Sequence, residues 1–97
     1  MRLIRRTDVA KELLPGRTIQ KAVGKEAYSE SEKMTLGFAS YSAEAGPMEP
    51  HNHAEETVFV LRSEGGRVRW GADPDNLVES AVLEAGMLLH FPALEWH

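Results

Sequence analysis

Residues 46–66 read Gly-Pro-Met-Glu-Pro-His-Asn-His-Ala-Glu-Glu-Thr-Val-Phe-Val-Leu-Arg-Ser-Glu-Gly-Gly. This stretch places His51 and His53 two positions apart, with two glutamates just beyond them. On an extended strand, residues i and i+2 point to the same face, so both imidazoles can face a single point. Imidazole and carboxylate together bind divalent transition metals, and an ion with an open coordination position is reactive. The stretch therefore predicts a metal site on a β-hairpin, against the simpler interpretation of two histidines on a solvent-facing strand edge.

The same stretch resembles the first motif of the cupin superfamily. In that motif a glycine precedes His-x-His, and a glutamate opens the strand that follows. Gly46, His51 and His53 keep this order, although four residues instead of five separate the glycine from the first histidine. The resemblance makes Glu56 the acidic ligand, because Glu56 opens the strand-like run 57–61.

Glu55 is the competing choice for the acidic ligand. Two residues separate His53 from Glu56, which is shorter than the family spacing. On an unbroken strand, Glu55 and not Glu56 would share a face with His51 and His53. A turn between His53 and Glu56 would reset this parity, and we expect one there.

A second cupin-like motif lies at residues 86–97. Gly86, Pro92 and His97 keep the family spacing, whereas Leu94 stands where the family has a glycine. The asparagine that follows in the family falls beyond His97, so we expect either a longer protein or another segment that completes the sheet. The resemblance adds His97 to the metal ligands and implies one divalent transition metal ion (Mn, Fe, Co, Ni, Cu or Zn) held by His51, His53, Glu56 and His97.

The remaining sequence agrees with an all-β fold. Short alternating segments are separated by Gly, Pro, Asp and Asn, a pattern typical of sandwiches and barrels. The resemblance specifies a double-stranded β-helix, the jelly-roll barrel of cupins. The predicted strands cover residues 17–23, 34–41, 48–53, 57–61, 67–71, 77–83 and 87–91, with an edge strand at 3–4, a helical turn from Thr7 or Asp8 to Leu14, a loop at 24–33 and a hairpin turn at 63–66.

Composition indicates one small globular domain. The 97 residues are 42% hydrophobic and 27% charged, which is ordinary for such a domain. The absence of cysteine excludes disulfides and thiolate ligands. No apolar run reaches membrane-spanning length and the first residues lack the apolar core of a signal peptide, so we predict a cytoplasmic protein that does not bind membranes.

Charge is distributed unevenly along the chain. Residues 1–25 carry seven of the eleven basic residues and two of the fifteen acids, a net charge of +5 that leaves −9 for residues 26–97. We therefore predict a basic N-terminal arm (1–25) and a barrel (26–97). No aromatic residue lies among the basic ones, which argues against nucleic-acid binding. The arm either lies on acidic protein surface or is simply solvated. We also predict a homodimer in which the N-terminal strands of each chain pair with the sheet of the other.

Other residues that could take part in binding or catalysis are predicted to have structural roles or to face water. His90, within an apolar run, is predicted to be a hydrogen-bonded core residue or a support for the metal site rather than a ligand. Trp70 and Trp96 are predicted to pack in the core or at the rim of a pocket. Arg67 and Arg69 share one face of a strand, which we expect to face water.

Two functions follow from the predicted site. The first is a metal-dependent enzyme of dioxygenase, isomerase or decarboxylase type that acts on a small oxygen-rich molecule. The second is a binding or sensing module that uses the same ion to hold a small anionic ligand without turnover. No general acid or base besides the ligands stands out, so the catalytic residues are unknown, and fold alone does not decide between the two.

Overall fold

The computed structural model describes residues 1–97 and is built almost entirely from β-strands. A short 3₁₀ helix, Arg6–Asp8, is the sole helical element. The eight strands are β1 (Glu12–Leu14), β2 (Arg17–Gly24), β3 (Ser29–Glu30), β4 (Leu36–Ser40), β5 (Glu56–Phe59), β6 (Arg67–Trp70), β7 (Glu79–Val82) and β8 (Leu88–Phe91). The predicted all-β class is confirmed at this level.

The chain forms two compact units, Met1–Glu49 and Pro50–His97. In the first unit, β2 is the longest strand and pairs with β1, β3 and β4. The β1–β2 connection turns through Pro15 and Gly16, where Gly16 has φ +80°. A Cβ at Gly16 would lie 2.8 Å from the Met48 side chain, so glycine is required there by both backbone conformation and space.

Gln20, on β2, organises the interior of the first unit. Its side chain is buried, and its amide nitrogen donates to the carbonyls of Arg6 and Val9 at 2.8 and 2.9 Å. Its amide oxygen accepts from Nε of Arg6 at 2.9 Å. Because a buried amide is costly unless it is hydrogen-bonded, these contacts tie the 3₁₀ helix to the sheet.

The second unit contains two antiparallel strand pairs. β5 pairs with β8, with Glu56 opposite Phe91 and Phe59 opposite Leu88. β6 pairs with β7, with Val68 opposite Ala81. Backbone hydrogen bonds of Val60 with Met87 and Gly86 extend the first pair beyond β5.

Several predicted elements differ from the structure. The predicted helical turn through Leu13 and Leu14 is wrong: Glu12–Leu14 is a strand, because the Pro-Gly turn folds it back onto β2. Residues 3–4 form no strand. The 63–66 turn does not make a hairpin, since β5 pairs with β8 and β6 with β7. The loop predicted at 24–33 contains the two-residue strand β3.

The paired strands form three separate sheets of four, two and two strands. Residues 1–25, the predicted basic arm, lie within the first unit, where β2 is already paired on its own chain. The homodimer stays a prediction. No helix has the length and apolar character that a membrane crossing requires.

Candidate metal centre

The histidine-bearing segments meet through their backbones. The amide of His51 donates to the carbonyl of His97 at 2.9 Å, and the amide of His97 donates to the carbonyl of His51 at 3.0 Å. Residues that exchange both hydrogen bonds in this way face each other across an antiparallel pair and point to the same side. The sequence-predicted hairpin is therefore replaced by a pairing between the first and last segments of the second unit.

Three imidazoles converge as a result of this pairing. The ring centroids are 5.4 Å apart for His51 and His53, 4.5 Å for His51 and His97, and 5.1 Å for His53 and His97. One ligand nitrogen from each ring lies within 4.8 Å of the others. The three histidines are thus positioned to bind a metal ion.

Glu56 adds a carboxylate to this histidine cluster. Its Oε2 lies 2.9 Å from Nε2 of His53 and 3.3 Å from Nε2 of His97. Glu56 opens β5, and Ala54 forms a bend between His53 and that strand. Residues 48–53, predicted as a strand, form none, and Glu56 instead of Glu55 lies beside the histidines.

Hydrogen bonds to backbone carbonyls define which ring nitrogens carry hydrogen. Nδ1 of His53 lies 2.9 Å from the carbonyl oxygen of Ala54, and Nδ1 of His97 lies 3.0 Å from that of Glu95. Because a carbonyl oxygen only accepts, each Nδ1 must donate a hydrogen. In the neutral rings, both Nε2 atoms therefore carry the lone pair that a metal ligand needs.

The Nε2 atom of His97 is the strongest indication that the cluster can bind a metal ion. It is buried and makes no hydrogen bond, although the carboxylate of Glu56 is near. A buried polar atom without a partner costs about 1–3 kcal/mol. At His53, a nitrogen lone pair faces a carboxylate oxygen at 2.9 Å, an arrangement that repels unless a proton or a metal ion lies between the two atoms.

The donor set fits a divalent transition metal. Three imidazole nitrogens and one carboxylate oxygen are the ligands preferred by zinc, iron, manganese and their neighbours. With bonds of about 2.0–2.1 Å, neighbouring ligand atoms are about 3.0–3.4 Å apart. The three ring nitrogens lie within 4.8 Å of one another, so a bound ion would draw them closer together.

Phe91 packs against the ring of His97 and holds it in place. Its ring stacks on His97 with centroids 3.9 Å apart and planes 20° apart. Phe91 is buried, and the His97 side chain is 9% exposed, against 42% for His53 and 36% for Glu56. The site is therefore closed on the His97 side and accessible on the side of His53 and Glu56.

Leu94 closes the loop beside the site in a strained conformation. Its φ is +67°, in the left-handed region that disfavours residues with a Cβ. Its amide donates to the carbonyl of His53 at 2.8 Å, and its carbonyl accepts from Nδ2 of Asn52 at 3.0 Å. These bonds hold the loop against the His-x-His segment, at the position where the cupin pattern has glycine.

We predict that Leu94→Gly stabilises the protein by about 1 kcal/mol, because glycine adopts this conformation without the Cβ penalty. Little burial is lost, since Leu94 is 67% exposed. Urea unfolding of both proteins measures the difference. The matched control is Leu94→Ala, which keeps a Cβ and should give no gain. Equal stability of the two variants would contradict the strain at Leu94.

The other candidates lie away from the cluster. Nε2 of His90 pairs with Oε1 of Glu55 at 3.1 Å, and both side chains are largely exposed (59% and 69%). His90 is hydrogen-bonded as predicted, but its predicted place in the core is wrong, because it lies opposite Thr57 on the outer face of β8. Arg67 and Arg69 are exposed, as predicted, and contact Ser80 and the carbonyl of Leu77.

Two features near the cluster had no clear sequence signal. One is the stacking of Phe91 on His97, which joins β8 to a segment beyond it. The other is an apolar cleft of about 240 Å³ lined by Val68, Trp70, Ala81, Leu89, His90, Phe91 and Glu95. Trp70, predicted to pack in the core or at the rim of a pocket, lines this cleft. Trp96 is half-buried and pairs through its backbone with Gly71.

Comparison with models of known protein families, with curated proteins and with solved structures finds no match.

Proposed function

We propose that His51, His53, His97 and Glu56 bind one divalent transition metal ion per chain. The observation that carries this proposal is the buried Nε2 of His97, which has no hydrogen bond and carries a lone pair because Nδ1 donates to the Glu95 carbonyl. The Glu56 carboxylate supplies a negative charge beside it. A metal ion would supply the partner that this nitrogen lacks.

The proposed fold is a cupin-like jelly roll. The support is the order of the two sequence motifs together with the left-handed conformation of Leu94, which stands at a position of glycine in the cupin pattern. The convergence of the first-motif histidines with the second-motif histidine is what that fold requires.

The proposed activity is that of a metal-dependent enzyme for a small oxygen-rich molecule. When bound, the ion would supply Lewis-acid polarisation of a substrate oxygen or, if it is redox-active, activation of dioxygen. The residues of the chain fix that ion: the carbonyls of Ala54 and Glu95 orient His53 and His97, and Phe91 shields the His97 side from water. The more exposed side of His53 and Glu56 leaves room for substrate.

A binding or sensing module is the second candidate. The remaining acid–base pair, His90 and Glu55, lies on the opposite face of β5 and β8 from Glu56. Because this pair does not face the ion, it supplies no general acid or base there, which favours binding without turnover. Oxygen uptake or loss of a metabolite from a panel, measured on metal-loaded protein, separates the two. Turnover supports the enzyme, whereas saturable binding without turnover supports the module.

Metal affinity is predicted to fall steeply as the pH drops below about 6. Imidazole must be neutral to ligate, and free histidine has a pKa of about 6.5, so protons compete with the ion. Calorimetric titration with Zn²⁺ between pH 5 and pH 8 measures this. Affinity that does not change with pH would contradict histidine ligation.

A further inference from the structure

Strand β4 forms one edge of the four-stranded sheet in the first unit. β2 pairs with β1 and β3 along one side and with β4 along the other, because Ile19 and Val23 each have a partner on both sides. No further strand pairs with β4, and residues 36–40 make no backbone–backbone hydrogen bond outside their pairing with β2. A row of amides and carbonyls is therefore open to another extended segment.

The two edges of this sheet differ in their protection against pairing. β1 is three residues long, contains Glu12, follows Lys11 and is followed by Pro15. Shortness, charge and proline are features by which natural sheets keep an edge from pairing. β4 is five residues long, and residues 34–43 contain neither a charged residue nor a proline, although 27% of the chain is charged. The β4 edge therefore lacks the protections that the β1 edge has.

Contacts on the sheet hold β4 in a fixed position. The guanidinium of Arg6 lies over the ring of Phe38, 5.3 Å from its centroid, and donates to Oγ of Ser40 at 2.7 Å. A Cβ at Gly37 would lie 2.5 Å from the carbonyl oxygen of Gln20, so glycine is required where the two strands approach. An edge that is already ordered loses little conformational freedom when it pairs.

An apolar cleft of about 180 Å³ lies beside the same edge. It is lined by Ile4, Ala22, Val23, Leu36, Gly37 and Phe38. Leu36 is 63% exposed, so much of its apolar surface is uncovered. Because a cavity of about 150 Å³ can hold benzene, this cleft can take one aliphatic side chain. An added strand would find backbone partners along β4 and a pocket for a side chain next to them.

The charges that flank the neutral segment favour a second copy of the chain as the added strand. Lys33 precedes residues 34–43 and Glu44 follows them, and both are exposed. Antiparallel pairing of the segment with itself brings the Lys33 end of each copy toward the Glu44 end of the other. A two-fold axis perpendicular to the sheet keeps each face on its own side, so Leu36 of each copy lies on the face that contains the cleft of the other.

We propose that β4 pairs antiparallel with β4 of a second copy across a two-fold axis, so that the four-stranded sheets of two chains join into one. Leu36 of each chain covers the cleft of the other. The N-terminal strands stay on their own chain, in contrast to the strand exchange predicted from the sequence. The interface uses the first unit alone and does not depend on the proposed metal site.

The test is the mass of the full-length protein in sedimentation velocity as a function of concentration. We expect twice the 10.8 kDa of one chain at high concentration. Leu36→Lys should weaken the dimer about tenfold or more, because it removes the apolar contact and places two like charges near the two-fold axis. The matched Leu13→Lys, which changes an 85% exposed leucine on the opposite edge of the sheet, should leave the dimer unchanged.

Amide hydrogen exchange of the unmodified protein gives a second measurement that needs no variant. Alternate amides of Leu36–Ser40 should gain protection as the concentration rises, because alternate residues of an antiparallel strand bond to each neighbour. The amides of Glu12–Leu14 should not change.

Protein that stays monomeric at high concentration overturns the proposal, even if an added unrelated apolar peptide protects the β4 amides, because the edge then accepts a foreign segment. A dimer that Leu36→Lys leaves intact also overturns it, since another surface then joins the two chains. Dissociation by Leu13→Lys alone has the same meaning. If Leu36→Lys does not fold, a dimer whose β4 amides gain no protection overturns the proposal by itself.

Discussion

Replacing His51 and His53 with alanine is expected to reduce bound metal from close to one ion per chain to below about 0.1. Two of four ligands are lost, and the remaining His97 and Glu56 do not hold a transition metal at micromolar concentration. The fold should survive, because His51 pairs with His97 through backbone atoms that alanine retains. Elemental analysis of the purified protein, together with circular dichroism, measures both quantities.

The control for this double variant is His90→Ala. His90 is an exposed histidine of the same unit that pairs with Glu55 instead of the cluster, so its loss should leave the metal content unchanged. If the double variant retains full metal content, or if His90→Ala loses as much metal as the double variant, the ion is not held where we propose.

Glu56→Gln is expected to weaken metal binding about 100-fold. Substituting residues that merely support metal ligands costs 10–100-fold in affinity, and a charged ligand should cost at least as much. Glutamine keeps the size of the side chain and removes the charge that lies 2.9 Å from His53 and 3.3 Å from His97. Competition with a fluorescent chelator measures the dissociation constant.

Glu55→Gln is the matched control for Glu56→Gln. The two residues are adjacent and chemically identical, but the carboxylate of Glu55 pairs with His90 on the other face of the strands. Its substitution should change the affinity by less than about twofold, since exposed pairs contribute little. The reverse ranking of the two variants would mean that Glu55 is the ligand.

The sequence predicts strand positions better than strand partners. Alternating apolar residues located β2, β4, β6 and β8 to within a few positions, because alternation is a local property. The partner of β5 is β8, about 30 residues away, and the local sequence of β5 does not indicate which strand it pairs with. Glu12–Leu14 forms a strand and not the end of the predicted helical turn, because the turn at Pro15 and Gly16 pairs it with β2.

The predicted metal ligands came from two sources, the spacing of the histidines and the cupin resemblance. The spacing of His51 and His53 indicates a shared direction, whereas the preference for Glu56 over Glu55 comes from the cupin resemblance. His97 entered through the cupin resemblance, and its backbone pairing with His51 is a tertiary feature. The contact of Phe91 with His97 likewise depends on how distant segments pack.

The most direct test of the metal site is ¹⁵N NMR of the histidine rings during titration with Zn²⁺. We predict that Nε2 of His53 and of His97 shift to metal-bound values at one equivalent, while their Nδ1 atoms keep the hydrogens donated to Ala54 and Glu95. The exposed His90 should not change. Ring signals of His53 and His97 that stay unaltered while His90 responds would contradict the proposed metal site.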